Sequence, residues 1–580
     1  MVKIKWRDMR RGIVLFLAIT VISGFAAVFA GDDDSEQSEA SAARAEQTLV
    51  GKRAQSPDIM ITEQVSKQIP KPILPEGMTL IKEVKVEGAT ILAQEAFDRL
   101  KLKYENRQVT PRMIQQAADL VTRAYAREGY ITSYGYIDPQ ELSSGVLKIM
   151  VKEGKTGKIA IEGNKTFSTE ILMSKISLKE GDFFNFRQLN RDVYRINKHP
   201  DRKLGIVCEP NVQTGITDVT LKVKDKSPLH AVLQMDNYGS ESIAYKRHKI
   251  FLTHNNLTGH DDSLTFKAQM TESNAHKLFD LDYYYPLNPD WKFNLYFMPY
   301  KREDYVGGDN VETDFEKHAH KWYFWFTQSL IDEPGIELSS AYGYVQKDIH
   351  WWQNGQQQKS DLFRALMWGI DLNRADKYGR WVISNDVEVG IPRLFGGSTQ
   401  EDESCSVAGA GGGYKKNLLV IARRQKVVAD IDWISKGRWQ LSSQAQPGVN
   451  VFSIGGFMGV IDMRGYPRAQ APGDNGVSLS TGFSLPPFGV ARNKKVPFSN
   501  TNIYDGLRLF TFIDYARAGF KTYQEGSPKH YELTSGGCGF ELKVPDQAFS
   551  VRLDIGWPLS DQMPSDGDHA HAWFAVTKGF

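Results

Sequence analysis

From residue 227 onward the chain alternates apolar and polar residues with period two, in segments of about ten residues broken by Gly, Asp, Asn and Pro turns. Ala231, Leu233 and Met235 oppose His230, Gln234 and Asp236; Leu264, Phe266, Ala268 and Met270 oppose Thr265, Lys267 and Gln269. Near the end, Val551, Leu553, Ile555 and Trp557 oppose Arg552, Asp554 and Gly556. Sixteen such segments start near 231, 245, 263, 277, 291, 318, 336, 360, 380, 414, 438, 477, 507, 532, 548 and 571. Spread over residues 227–580, this allows roughly 22 residues per strand and turn, which suits a tilted strand of roughly 9–11 spanning residues plus a connection. An even strand number is what a bacterial outer-membrane barrel uses. Eleven of the 12 tryptophans lie at or after Trp291, where aromatic girdles would sit. A soluble β-sandwich or propeller also explains the alternation, but not the tryptophan bias or the terminal aromatic Phe580.

The other end of the chain carries an address. Lys3, Lys5, Arg7, Arg10 and Arg11 precede an apolar stretch from Ile13 to Phe25, and Val28, Phe29 and Ala30 form a small-residue cleavage site. Residues 1–30 therefore read as an export signal, with a mature chain beginning near Gly31. Beyond them no apolar run reaches the ~20 residues of a spanning helix. With 71 basic and 69 acidic side chains the net charge is +2, which argues against a nucleic-acid binder. Hydrophobic residues at 41% exclude wholesale disorder. Cys208, Cys405 and Cys538 are too few and too scattered for a disulfide framework.

Between address and barrel lie a polar extension, residues 31–79, and two related modules, residues 80–154 and 155–226. Residues 36–50 are compatible with a helix, which would be a candidate pore plug, or with a disordered tail; residues 69–75 read as a stiff Pro-rich linker. In the first module Thr110 caps a helix that has Pro111 at its first position and Gly129 past its end. Its element order is β-α-α-β-β. The second repeats it: Ile161, Glu162 and Gly163 match Val86, Glu87 and Gly88, while Val219, Leu221 and Val223 match Leu147, Ile149 and Val151.

Three motifs then carry a resemblance. Ser453, Ile454, Gly455 and Gly456, followed by Met463, Arg464, Gly465 and Tyr466, resemble the GG…VRGY loop between strands eleven and twelve of the two-partner secretion transporters. These are the haemolysin-activator and filamentous-haemagglutinin exporters of the outer-membrane insertase superfamily, whose modules are called POTRA domains. Phe512, Asp514 and Ala516 resemble the family's F-x-D-x-G in strand thirteen, and Phe580 is similar to the aromatic end that marks strands for assembly. Ala516 and Met463 depart mildly from the family residues and leave the charges in place. The resemblance covers residues 80–580. It implies a 16-stranded antiparallel β-barrel membrane protein preceded by two α+β POTRA domains, in the outer membrane of a Gram-negative bacterium with the modules in the periplasm.

The residues also speak for themselves. In the segment from 507, Leu507, Leu509, Thr511 and Ile513 suit lipid, so Asp514 shares the lumenal parity with Arg508, Phe510 and Phe512. The Gly-rich loop 449–475 is long enough to fold inward and bring Arg464, with Gly465 and Tyr466, to Asp514 and Phe512. A guanidinium matches a carboxylate as a planar fork, so the pair forms a loop-to-wall lock. In the first module Ile131, Ser133, Tyr134, Tyr136 and Ile137 make a candidate edge strand where an unfolded chain adds itself by backbone hydrogen bonds.

No G-x-x-x-x-G-K-[ST], H-E-x-x-H or G-x-S-x-G motif occurs, so no enzyme, cofactor or nucleotide is expected. His318 with His320 and His569 with His571 put imidazoles in pairs on one strand face, but no further ligands cluster beside them in sequence. The resemblance implies a translocator for a large, unfolded, β-rich exoprotein. Its further partners would be outer-membrane lipid and the barrel assembly machinery, with no nucleic acid, and its state monomeric. An assembly factor of the same superfamily is the alternative; such proteins usually carry three or more modules. A passive porin would need no periplasmic modules.

Overall fold

The computed structural model describes residues 59–61 and 77–580, apart from 139, 212, 241–243, 274–275, 309–310, 448–449, 457–462 and 522–527. The export signal, the possible plug helix and the Pro-rich linker lie outside the described residues.

In chain order the part preceding the barrel runs β1 (Ile59–Ile61), β2 (Thr79–Ile81), β3 (Glu83–Glu87), α1 (Asp98–Tyr104), β4 (Arg107–Val109), α2 (Pro111–Arg127), β5 (Tyr134–Tyr136) and β6 (Val146–Lys152). It continues with β7 (Lys155–Glu162), α3 (Thr169–Ser174), α4 (Phe186–Ile196), β8 (Arg202–Asn211) and β9 (Ile216–Asp225).

In each module the first and last strands pair in parallel and the middle strand joins antiparallel: β3-β6-β5 in the first, β7-β9-β8 in the second. α2 forms because Thr110 accepts the Met113 amide (3.3 Å) and Pro111 occupies the first turn, where no amide donor is needed. Ile114, Ala118, Val121 and Tyr125 then pack on Val84, Leu147 and Ile149 of the sheet. The second core gathers Leu189, Val193 and Ile196 of α4 with Leu204, Ile206, Val219, Leu221 and Val223. Each module thus buries one helix layer on one sheet face.

The sixteen barrel strands are β10 (Leu229–Asp236), β11 (Arg247–His254), β12 (Ser263–Thr271), β13 (His276–Pro286), β14 (Trp291–Gly308), β15 (Val311–Glu333), β16 (Ile336–Gln353) and β17 (Gln356–Ala375). After β18 (Gly379–Gly390), β19 (Lys415–Val428) and β20 (Ile431–Ser442), the inward loop contributes the short β21 (Phe452–Ile454) and β22 (Ala471–Gly473). Then come β23 (Asn475–Leu485), β24 (Leu507–Gly519), β25 (His530–Val544), β26 (Phe549–Pro558) and β27 (His571–Gly579). They close antiparallel, β27 pairing with β10 from Val232 against Gly579 to Asp236 against Ala575. Closure leaves no backbone edge in lipid.

Polarity is inverted relative to a soluble core. Leu233, Ile250, Leu252, Phe266, Phe279, Phe324 and Phe326 face outward, whereas Asp236, Arg247, Lys321, Lys347, Glu388, Arg438, Asp514 and Asp554 are buried inside. Two strand starts differ from the sequence reading. β15 begins at Val311 and β20 at Ile431: Glu312, Thr313 and Asp314 interrupt the apolar alternation at the first start, and the adjacent Trp433 and Ile434 break its period of two at the second, while the ladder continues.

Candidate functional site: a loop tip forked onto the barrel wall

The loop between β20 and β23 turns into the lumen. Gly455 (φ +129°) and Gly456 (φ +78°) adopt left-handed conformations that a side chain would strain. β21 and β22 pair as a small hairpin, and Phe452, Ile454, Met463, Tyr466 and Ala471 pack against Ala516, Ala518 and Leu533 of the wall. This apolar patch seats the tip.

Arg464, 5% exposed, meets Asp514, 0% exposed, as a fork. Nε donates to Oδ2 (2.9 Å), Nη2 to Oδ1 (2.6 Å), and the Arg464 amide also reaches Oδ2 (3.2 Å). Nη1 extends to Asp554 of β26 (3.3 Å) and Nη2 to Ser480 of β23 (2.9 Å). Ser480 and Ser535 donate to Asp514 in turn (2.7 and 3.3 Å), and Arg552 donates to Asp554 (2.6 Å). The guanidinium carbon lies 3.3 Å from the centre of the Phe512 ring, a cation–π contact between two buried side chains. Pairing and satisfied hydrogen bonds are what make a charge tolerable at this depth.

The tip backbone is held as firmly. Trp573 Nε1 donates to the Arg464 carbonyl (2.8 Å), and the His571 Nδ1–H to the Gly465 carbonyl (3.1 Å). Tyr466 donates its hydroxyl to Gln562 O (3.2 Å) and shares a hydrogen bond with Ser560 (2.5 Å). Gly465 is needed for contact: a Cβ there would sit 2.6 Å from the Trp557 backbone, and one on Gly556 2.4 Å from the Arg464 carbonyl carbon. The structure thus brings Arg464, Gly465, Tyr466, Phe512 and Asp514 together. Asp554, Ser480 and Trp573 complete the site without having been singled out, as does His571, which the sequence offered only as one of a histidine pair. The alternation put Asp554 on the polar side of its strand with Arg552, but nothing in the sequence linked it to the tip or signalled that the tip spans from β23 to β27.

The other candidate residues are placed differently. Of the first-module edge only Tyr134–Tyr136 is strand. Its Gly135 amide donates to Thr122 of α2 (3.0 Å), so a side chain already occupies that edge. Ser133 accepts the Gly154 amide (3.0 Å), Ile137 lies in the first core, and Ile131 packs on the second. An extended edge partner exists elsewhere: β1 runs parallel to β8, Ile59 opposite Ile206 and Ile61 opposite Cys208. Phe580 donates its amide to Ala231 (2.9 Å) and leaves its ring exposed.

The second module is joined to the barrel turns by charge. Arg202 Nη1 reaches Asp261 Oδ1 (2.5 Å), its second nitrogen reaches Oδ2, and its guanidinium stacks 4.8 Å over Phe167. Lys175 adds a contact to Asp261 at 2.8 Å. Burial raises the Asp261 pKa, but Arg202 and Lys175 more than offset it and hold the carboxyl down at about 2. Asp201 accepts from His230 and Asn255 (2.7 Å each), and Lys198 pairs with Glu337 (2.7 Å).

For metals, Asp566, Asp568 and His571 bring one ligand atom each within 4.8 Å among the described residues. His571 is engaged instead by Gly465 and by Asp566 (2.8 Å). His318 pairs with Glu316 (2.7 Å). None of the three cysteines forms a disulfide.

A closed sixteen-stranded barrel, two POTRA modules and a loop tip forked to the wall define an outer-membrane translocator of exoproteins. The modules lie in the periplasm. The chain belongs to the haemolysin secretion/activation family ShlB/FhaC/HecB, whose model matches residues 215–541. A ShlB-type POTRA model matches residues 79–154, and a second POTRA model, the surface antigen variable number repeat, matches 155–224. Over 491 residues the chain is 22% identical to the outer membrane transporter CdiB of Dickeya dadantii, covering 83% of each chain. It is 21% identical over 518 residues to the heme/hemopexin transporter protein HuxB of Haemophilus influenzae, covering 87% of each. The solved structure of CdiB from Escherichia coli superposes with a TM-score of 0.73 at 19% identity, covering 94% of this chain and 97% of that one. That likeness concerns the fold.

Proposed function

We propose that this translocator exports one large, unfolded, β-rich passenger through its own barrel without nucleotide hydrolysis, and that loop 449–475 is the lid that must move aside. The observation that carries the reading is the tip itself. It is held by side-chain and backbone hydrogen bonds and one apolar patch, and the connection on either side is rich in glycine. Direction comes from folding of the passenger outside. The modules receive the chain in the periplasm by strand addition. The β1–β8 pairing supports this, because it is an extended segment already seated on a module edge. Passenger strands compete with Ile59–Ile61 there, while the short edge at Tyr134–Tyr136 is reached by displacing Thr122. The protein acts as a monomer, and Phe580 presents its barrel to the assembly machinery.

The test compares culture-supernatant and outer-membrane proteomes with and without the gene. Loss of one large secreted protein with the membrane profile intact supports the reading. Loss of several barrels with no single secreted casualty contradicts it in favour of an assembly factor.

A further inference from the structure

The tip is not the inward loop's whole attachment. Its first limb carries Asn450, 0% exposed, against a separate stretch of wall. Lys347 of β16 donates its ammonium to Asn450 Oδ1 at 2.9 Å, and Lys416 of β19 approaches the same oxygen at 3.5 Å. Glu388 of β18 lies between the two lysines, 3.5 Å from Lys347 and 3.4 Å from Lys416, and accepts the Tyr414 hydroxyl at 2.9 Å. Lys347 is itself fully buried and Glu388 nearly so.

We infer that Asn450 is a second, deliberately weak anchor of the lid, a positioning residue whose amide oxygen gathers the Lys347 and Lys416 ammoniums and is released when the loop leaves the lumen. The inference rests on the gate reading of the loop. Its chemistry differs from the tip's. Arg464 brings a charge to a carboxylate, so leaving costs a charge-assisted fork. Asn450 brings a neutral acceptor to two cations. When it withdraws, each ammonium exchanges one amide oxygen for water, which solvates it well, and Glu388 stays between them. The limb is thereby held in one register without a charge pair of its own. A carboxylate at this position would convert the weak grip into a strong one, because both lysines would then meet an anion. An apolar residue of the same size would leave them facing hydrocarbon in the closed state only, which favours opening.

The two substitutions therefore push in opposite directions. In planar bilayers holding the full-length protein, Asn450→Asp should lower the frequency of full openings several-fold, and Asn450→Leu should raise it several-fold. The tightening by Asn450→Asp should shrink when Lys347 is also replaced by Met. Heat-modifiable migration on gels establishes that each barrel is folded, and Asn450→Ala reads the same loosening should the Leu variant fail that check. Arg464→Ala is recorded alongside. If it opens the pore while the Asn450 variants leave openings unchanged, or shift them the same way, the anchor is overturned and the gate stands. If Arg464→Ala also changes nothing, the gate reading falls and takes the anchor with it.

Discussion

Two buried forks of the same chemistry do different jobs in this molecule. Arg202 grips Asp261 beneath the barrel with its guanidinium over Phe167, and Arg464 grips Asp514 inside the barrel with its guanidinium over Phe512. The first fork joins two folded bodies. Arg202 belongs to β8, whose sheet is buried under α4, and Asp261 to the turn after β11; beside them Asp201 of the module accepts from His230 of β10 and Asn255 of that turn. The second joins the wall to a glycine-rich loop whose remaining grip is a small apolar patch, hydrogen bonds to its backbone carbonyls and single side-chain contacts such as Asn450 with Lys347 and Tyr466 with Ser560. On the gate reading proposed above, fork strength does not decide what moves. What each fork carries does: one bears a module that stays packed, the other a loop that has only the lumen to leave.

The largest effect that would break this contrast comes from the tip. Removing one member of a buried pair typically costs ~3–5 kcal/mol, and water entering the lumen brings this toward the lower end. Arg464→Ala and Asp514→Ala should each open the pore in conductance recordings and sharply reduce passenger secretion. The charge-swapped double variant should not restore it, since an acid at 464 would face Asp554. Normal secretion by all three, with the barrel folded, would refute the assignment.

Next comes the module. Arg202→Ala leaves the Asp261 carboxylate with Lys175 and should broaden spin-label distances between the second module and the barrel rim, without raising conductance. A rise in conductance equal to that of Arg464→Ala would erase the distinction between the forks. The pH dependence sharpens it. Asp261 is held at about 2, below its ordinary 3.8, so its contribution is present above pH 4 and lost as pH falls through 2. The same distances should hold from pH 7 to 5 and broaden between pH 4 and 2, as protonation of Asp261 weakens the contact by about 2 kcal/mol. Two smaller effects follow. Replacing Ile59–Ile61 with Gly-Ser-Gly should increase cross-linking of an extended peptide to β8 a few-fold. Ala516→Gly should change barrel stability by less than ~1 kcal/mol.

The forks also differ in how they could be read from sequence. Arg464 and Asp514 sit in motifs, and the parity of Leu507, Leu509 and Ile513 forces Asp514 inward. Arg202 and Asp261 belong to no repeat, and nothing local links a module strand to a barrel turn 59 residues on. The barrel itself was legible because each strand repeats the same alternation, and its count and order follow. β1 was not, because Ile59, Met60 and Ile61 form an apolar triplet too short to be periodic, and its partner strand lies far along the chain. Tyr134–Tyr136 read as a longer edge than it is, since Ile131 and Ile137 are apolar for two different cores.

The central claim is that the tip must leave the wall for the passenger to pass. Met463 of the tip contacts Ser535 of β25, the two side chains 3.9 Å apart. Cysteines at both positions, in a background with Cys208, Cys405 and Cys538 all replaced by Ala so that no other thiol competes, can be joined in living cells by a short, membrane-permeant, reducible thiol cross-linker. The account predicts that secretion of the passenger stops when the bridge forms and resumes when it is reduced. Undiminished secretion through a fully bridged barrel would contradict it.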